Sequence, residues 1–542
     1  MATTQTFTVL YFIFICILGI VFSIADTFIR AYFKDHYYIP GIVFRVYMGL
    51  VALIAMLYLH LDIYRRASHR RDPISQPNSQ FQLTTISRAD SKPDGDQPTE
   101  QDERHAFYPE VAYGYQHVIS LYPKCGLVAF NIVGMIMFGF RLVSPFEQLK
   151  QNWTWKDIID TINNFVTILI ILLQSFQVFK YSNIYVNRRV KLVRFALIHL
   201  IAYNVTLWCS ITTHETLEAM SNENHHTRMI SGRLLKNDTT EDESLSNGAT
   251  LATNASPYLY PCVVEYCIIC AAIQYKMLLN VSKPLPDSDD QIGENPQKPY
   301  TDIFCHRANR GLFLGLVVLS ITVISIAMFF VFENYKTSDG TEYYVSMLLF
   351  LTTQFFLLSV STIAVFCALK ATSKLSHTGT SPDLFDDTLL LIGQAGYFTG
   401  EIFNLLGAID IVTFHSTIDG PHCAYLMLPL FKMLQTFLQT HFIICAFGRS
   451  AMSDSDRHEK PGRSFITFLL IANVALWAVL TFEVRESTVM ALNVQRNQHR
   501  IFPWMVASYI TLPMGIFYRF HSTVCLAEIW YSLYDLRRKH VE

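Results

Sequence analysis

What most limits the folds open to this chain is a succession of apolar runs, each about twenty residues long, the length of helix that crosses a bilayer's hydrocarbon core. They run Phe7 to Phe28, Ile42 to Tyr64, Val118 to Phe140, Ile158 to Phe179, Phe195 to Thr213 and Tyr258 to Leu279. A second group follows at Leu312 to Phe332, Tyr343 to Leu369, Leu384 to Val412, Ala424 to Phe447, Phe465 to Phe482 and Ile501 to Trp530. With no water in the bilayer core, backbone N–H and C=O groups must pair within each segment, which makes these runs helices. The prediction is an all-α polytopic membrane protein of twelve transmembrane helices. A composition that is 51% hydrophobic and 16% charged agrees with it.

Other classes lose support on the same grounds. Net charge is −2, and no long basic tract is interleaved with aromatics, so nucleic acid is not an expected partner. The first run lacks a basic leader and a clear small-residue cleavage site, and is read as a retained helix. Most of the eleven cysteines, including Cys16, Cys209, Cys262, Cys267, Cys270 and Cys525, fall inside apolar runs, and no metal-type Cys/His spacing stands out.

Basic residues set the orientation. Arg65-Arg66, Arg70-Arg71, Arg188-Arg189 with Lys191, Arg307 with Arg310, Lys370 with Lys374, Arg449 with Arg457 and Arg537-Arg538-Lys539 all fall on one side after alternate crossings. By the positive-inside tendency that side is cytoplasmic, and both termini lie there. Sequons at Asn152, Asn237 and Asn254 land in the loops predicted to be external, where glycosylation requires them. Asn204 and Asn280 match the sequon pattern but lie within or at the inner end of a run. The large external loop is expected from His214 to Ser256. The divisions predicted are residues 1–64 (first two helices), 65–115 (a disordered cytoplasmic loop), 116–280 (four more helices), 281–310 (a cytoplasmic linker), 311–536 (a second six-helix half) and 537–542 (a cytoplasmic tail).

The halves are related. Arg194, Asn204, Val205, Leu207, Trp208 and Thr212 recur 269 residues later as Arg463, Asn473, Val474, Leu476, Trp477 and Thr481. Pro261 and Tyr266 match the spacing of Pro513 and Tyr518, and Gln174 has an echo in Gln439. Two parallel repeats of six helices follow, related by an axis along the membrane normal.

Inside the runs stand polar side chains that lipid would penalise. Gln174, Asn204 and Tyr266 form one trio and Gln439, Asn473 and Tyr518 another, each able to close a hydrogen-bonded cluster in its own half. Such a trio serves equally as a clamp between helices or as a constriction crossed by protons. Glu265 lies one turn past Pro261, and an intramembrane carboxyl is a functional candidate by default. On a helix of about 3.6 residues per turn, Tyr518, His521, Cys525 and Glu528 share one face. His521 brings an imidazole whose ordinary pKa, about 6.5, suits proton exchange; bonding to Glu528 or to a backbone carbonyl is the alternative. Glu215 projects from the same face as Asn204 near an outer end, either gathering protons or simply solvated, and Arg519 is expected to pair with a carboxylate or reach a cavity. His199 has Phe468 at the equivalent repeat position, so an apolar residue is tolerated there.

Several motifs resemble the otopetrins, a family of proton-selective channels: Arg194-Phe195 with His199-Leu-Ile-Ala-Tyr-Asn204 and Trp208, Tyr258-Leu-Tyr-Pro through Glu265-Tyr266, Asn473-Val-Ala-Leu-Trp477, and above all Ile516-Phe-Tyr-Arg-Phe-His-Ser522 with Cys525-Leu-Ala-Glu-Ile-Trp530. The resemblance implies two six-helix halves, a homodimer, proton influx driven by external acid, and no cofactor. It makes the residues matching Gln174, Asn204, Glu265, Tyr266, Gln439, Asn473, Tyr518 and His521 candidates for permeation or gating. The expectation is thus a plasma-membrane proton channel, not an enzyme, with protons and membrane lipids as partners. A proton-coupled secondary transporter is the alternative, because the same architecture serves it.

Overall fold

The described part of each predicted run lies within a helix in the computed structural model, which describes residues 2–32, 39–65, 110–113, 121–147, 155–233, 247–283, 308–334, 341–377, 384–414, 420–482 and 502–534. The first six long helices are α1 (Ala2–Tyr32), α2 (Ile39–Tyr58), α3 (Leu121–Glu147), α4 (Trp155–Tyr181), α5 (Val190–Arg233) and α6 (Asn247–Leu279). After Tyr58, α2 runs on as a π-helical turn, Leu59–Tyr64. Then come α7 (Asn309–Asn334), α8 (Thr341–Thr372), α9 (Leu384–Phe414), α10 (Gly420–Phe447), the short α11 (Asp454–Glu459), α12 (Arg463–Phe482) and α13 (Phe502–Ser532). Eleven of these helices are long and apolar enough to cross a membrane among the described residues; α13 is as long but carries Arg519 and Glu528. Four short strands, β1 (Val111–Tyr113), β2 (Ile184–Val186), β3 (Ser376–His377) and β4 (Arg449–Ser450), make two antiparallel pairs, β1 with β2 and β3 with β4.

Buried apolar side chains gather into two clusters. One draws on residues between Ile15 and Val281, including Met48, Leu127, Ile170, Ala202 and Tyr266. The other draws on residues between Val318 and Leu533, including Phe329, Leu357, Phe442, Ile466 and Tyr518. Trp477 packs against both. Around it Phe130 of α3 meets the Trp477 ring at 6.1 Å and Phe520 of α13 edge-on at 4.8 Å. Glycine makes room for the closest approaches: a Cβ at Gly126 would stand 2.3 Å from the Phe520 ring, and one at Gly311 of α7 would stand 1.8 Å from the Ser464 carbonyl oxygen of α12. Small residues that let helix backbones touch are how helices associate where lipid supplies no hydrophobic drive. Phe7, Val43, Phe313, Ile363 and Phe437 point outward and exposed, an apolar surface suited to lipid.

Two sequence expectations change. The segment expected as an external loop from His214 to Ser256 is largely helical: α5 continues to Arg233 and α6 begins at Asn247, which puts Asn254 within a helix. The sequence Glu215-Thr-Leu-Glu-Ala-Met has good helix formers, and once a turn exists each added residue gains a bond without a new nucleus. The end of the 65–115 loop is ordered as β1, whose partner β2 follows α4. Most of that loop, Asn152, Asn237 and the C-terminal tail lie outside the described residues.

Candidate functional site

Glu265 is 0% exposed, and neither carboxyl oxygen has a hydrogen-bond partner among the described residues. A buried polar group without a partner loses its water bonds and gains nothing in return, so it is rare. The neighbouring Tyr266 hydroxyl lies 3.1 Å from both the Ile171 carbonyl and the Gln174 Oε1 of α4, and the Cys270 thiol reaches the same Oε1 at 3.6 Å. On α5, Asn204 donates to Gln274 Oε1 at 3.0 Å and to the Leu200 carbonyl at 3.0 Å. The other ends of these amides, Gln174 Nε2 and Asn204 Oδ1, are buried without a partner among the described residues.

Toward the Asp26 end of the same bundle lies a cavity of about 50 Å³, lined by Ser23, Asn163, Thr167, Tyr203, Thr206 and Ser210 among its polar residues. Those hydroxyls and the Asn163 amide offer hydrogen-bond partners to water there. Arg45, also on its wall, forms ion pairs with Asp26 at 2.5 Å and Asp160 at 3.3 Å. Nearby in sequence, Glu215 is not solvated: it is 3% exposed, paired with Arg141 at 2.5 Å and accepting from Ser256 at 2.6 Å, so three helices meet on one carboxylate.

The second cluster repeats some of these contacts and replaces others. Asn473 donates to the Leu469 carbonyl at 2.8 Å as Asn204 does to Leu200, and the Tyr518 hydroxyl meets the Thr436 carbonyl at 3.1 Å as Tyr266 meets Ile171. Beyond that, Gln439 and Asn473 pair reciprocally at 2.8 and 3.2 Å, and Gln435 donates to Gln439 at 3.0 Å. Neither trio closes on itself as expected. Asn204 turns to Gln274 and leaves the Gln174–Tyr266 pair, while Tyr518 turns to Thr436 and Thr440 and leaves the Gln439–Asn473 pair. Neighbouring acceptors outside the pattern, Gln274 Oε1 for the Asn204 amide and the Thr436 carbonyl for the Tyr518 hydroxyl, take these donors.

Among the described residues Arg519 pairs with no carboxylate. Its guanidinium donates to Gln435 Oε1 at 2.7 Å and Thr436 Oγ1 at 3.2 Å, and lies 5.3 Å from the Tyr397 ring centroid and 5.4 Å from that of Tyr518. A delocalised guanidinium stacks on aromatic faces and fills amide acceptors at once. Close by, Lys432 and Glu401 form a buried pair at 3.4 Å, with Asn404 on the other Glu401 oxygen.

His521 takes the second of its two expected arrangements, with Nε2 3.1 Å from the Asp386 carbonyl of α9, its ring stacked on Phe517. Asp386 in turn pairs with Lys276 of α6 at 3.2 Å, joining the two bundles. Cys525 is buried and Glu528 half-buried on the same helix. His199 is held by the Tyr11 hydroxyl at 2.9 Å and the Met48 carbonyl at 3.2 Å. The sequence reading passed over Gln274, Gln435, Lys276 and Lys432. Gln274, Gln435 and Lys432 each stand as a polar side chain inside an apolar run, and Lys276 in the last turn of one.

The Otopetrin family model matches residues 122–248 and 236–520, which contain Glu265 and both amide systems. The chain belongs to the otopetrin family. Proton channel OtopLc of Drosophila melanogaster is 28% identical over 588 aligned residues, covering 99% of this chain but 36% of that protein. Human proton channel OTOP3 is 22% identical over 78% of this chain and 74% of its own length, and human proton channel OTOP2 is 21% identical over 78% and 84%. Against the Drosophila relative, then, this otopetrin spans about a third of the length.

Proposed function

We propose that this otopetrin is a proton-selective channel of the cell membrane that admits H⁺ down its electrochemical gradient when the outside is acid. Both termini are cytoplasmic, and two copies assemble in the lipid. Relatives named as proton channels support the activity, and the observation that carries it to particular residues is Glu265. With neither oxygen committed to a partner among the described residues, this carboxyl can accept a proton delivered by water and release it again.

The route runs through the first bundle. Water in the cavity beside Ser23, Thr167 and Tyr203 brings a proton inward from the outer face. Glu265 holds it, and the unpaired amide ends of Gln174 and Asn204, with the Tyr266 hydroxyl, orient the hydrogen-bonded chain that continues it. Larger ions find side chains packed around the carboxyl with no exposed surface. To test this, the chain is expressed, the external solution stepped from neutral to acid without sodium, and the reversal potential measured against the proton gradient. Reversal should follow the proton gradient, and Glu265→Gln should reduce the current at least tenfold at equal surface abundance. Reversal that follows sodium or chloride refutes the reading.

A further inference from the structure

The two bundles share a backbone plan but not a charge plan. The separations that align Gln174 with Gln439 and Tyr266 with Tyr518 also align Thr167 with Lys432, Ile170 with Gln435, Ile171 with Thr436, Glu265 with Phe517 and Cys267 with Arg519. The alignment is physical as well as sequential, since Tyr266 and Tyr518 bond the carbonyls of the aligned Ile171 and Thr436 at the same 3.1 Å. Thus where the first bundle has a lone carboxyl, the second has a phenyl ring, and where the first has a thiol, the second has a guanidinium.

Resting on the proton-channel reading above, we propose that Arg519 closes the second bundle to protons and confines permeation to the first. Arg519 is 1% exposed and stands where the amide and hydroxyl groups of α10 meet Tyr518. Gln435 links it to Gln439 and Asn473, Thr436 links it to Tyr518, and its charge lies over the Tyr397 and Tyr518 rings. Guanidinium keeps its proton under all physiological conditions, so it neither accepts a passing proton nor loses its charge to let one by. The neighbouring ion pair does not neutralise it. Lys432 answers Glu401, which leaves one positive charge in excess among the described residues around Tyr397. At about 6 Å and an effective dielectric of about 20, a fixed positive charge lowers the occupancy of a second cation roughly a hundredfold.

This assigns the second bundle a structural task. Its amides are saturated: Gln439 and Asn473 bond each other on both sides, whereas Gln174 and Asn204 each keep an unpaired end. The charge that bars protons therefore also completes a rigid hydrogen-bonded clamp joining α10, α12 and α13.

The test uses the full chain, with proton currents recorded under external acid in sodium-free solution and surface protein quantified by biotinylation. Glu265→Gln silences the first route. Adding Arg519→Cys, which installs the first bundle's residue, should restore at least tenfold more current than Glu265→Gln alone, whereas adding Arg519→Lys, which retains the charge, should restore none. A double variant Glu265→Gln/Arg519→Cys that reaches the surface and stays silent overturns the proposal, as does equal recovery with lysine. Because loss of the clamp threatens folding, the reverse exchange is measured in the otherwise unaltered chain. Cys267→Lys, which places a cation in the first bundle, should cut the current at least tenfold at equal surface abundance, and an undiminished current overturns the assignment. A wild-type chain that passes no protons would instead refute the proposed function.

Discussion

Replacing Glu265 with methionine should separate what this residue costs from what it does. Methionine has nearly the same reach and volume, fits irregular apolar surroundings, and asks for no hydrogen bond. Even as the neutral acid, a carboxyl that is fully buried with neither oxygen paired carries a penalty of about 1–3 kcal/mol relative to an apolar group of the same shape. Glu265→Met should therefore stabilise the fold by about that amount. With an unfolding entropy of about 2.1 cal/mol/K per residue over the chain, the expected rise in melting temperature is on the order of 1–3 °C. Glu265→Gln keeps an equally unsatisfied polar group and should melt within about 1 °C of wild type. The assay is thermal unfolding of purified protein in detergent, followed by intrinsic fluorescence, beside proton currents from the same variants. Both variants should lose current while only methionine gains stability. A methionine variant that melts at or below wild type would refute the reasoning, because it would mean that Glu265 makes a stabilising contact.

Two further outcomes follow from packing. Gly311→Ala drives a methyl group into the Ser464 carbonyl and should destabilise the protein by about 1–3 kcal/mol, whereas Gly139→Ala, with nothing within 4 Å of the added Cβ, should be neutral or slightly stabilising; detergent melting compares them. Tyr266→Phe and Tyr518→Phe each remove the hydroxyl that bonds the aligned carbonyl of α4 or α10 and should each cost about 0.6–2 kcal/mol, and melting losses that differ severalfold would show that the two bonds are not equivalent.

The apolar runs and the repeat were legible in sequence because both depend on residue identity along one helix. Hydropathy sets which segments leave water whatever they pack against, and the recurrence of Asn204 as Asn473 or Tyr266 as Tyr518 is visible without knowing where the helices lie. Each of these side chains also bonds a carbonyl at a repeated position, either four residues back on its own helix or at the matching place on a neighbour.

Tertiary structure alone decided which polar groups pair and which are left over. An amide on one helix has no partner until the rotation and depth of its neighbours are set, and a shift of a single residue turns a side chain by about 100°. That is why Asn204 goes to Gln274 and Arg519 to Gln435, why Glu215 is buried against Arg141 and Ser256 when its place near a helix end suggested water, and why Glu265 alone among these carboxyls is sealed without a partner. Sequence determined that charged and polar side chains enter the apolar runs; packing between helices determined which of them find partners and which, like Glu265, do not among the described residues.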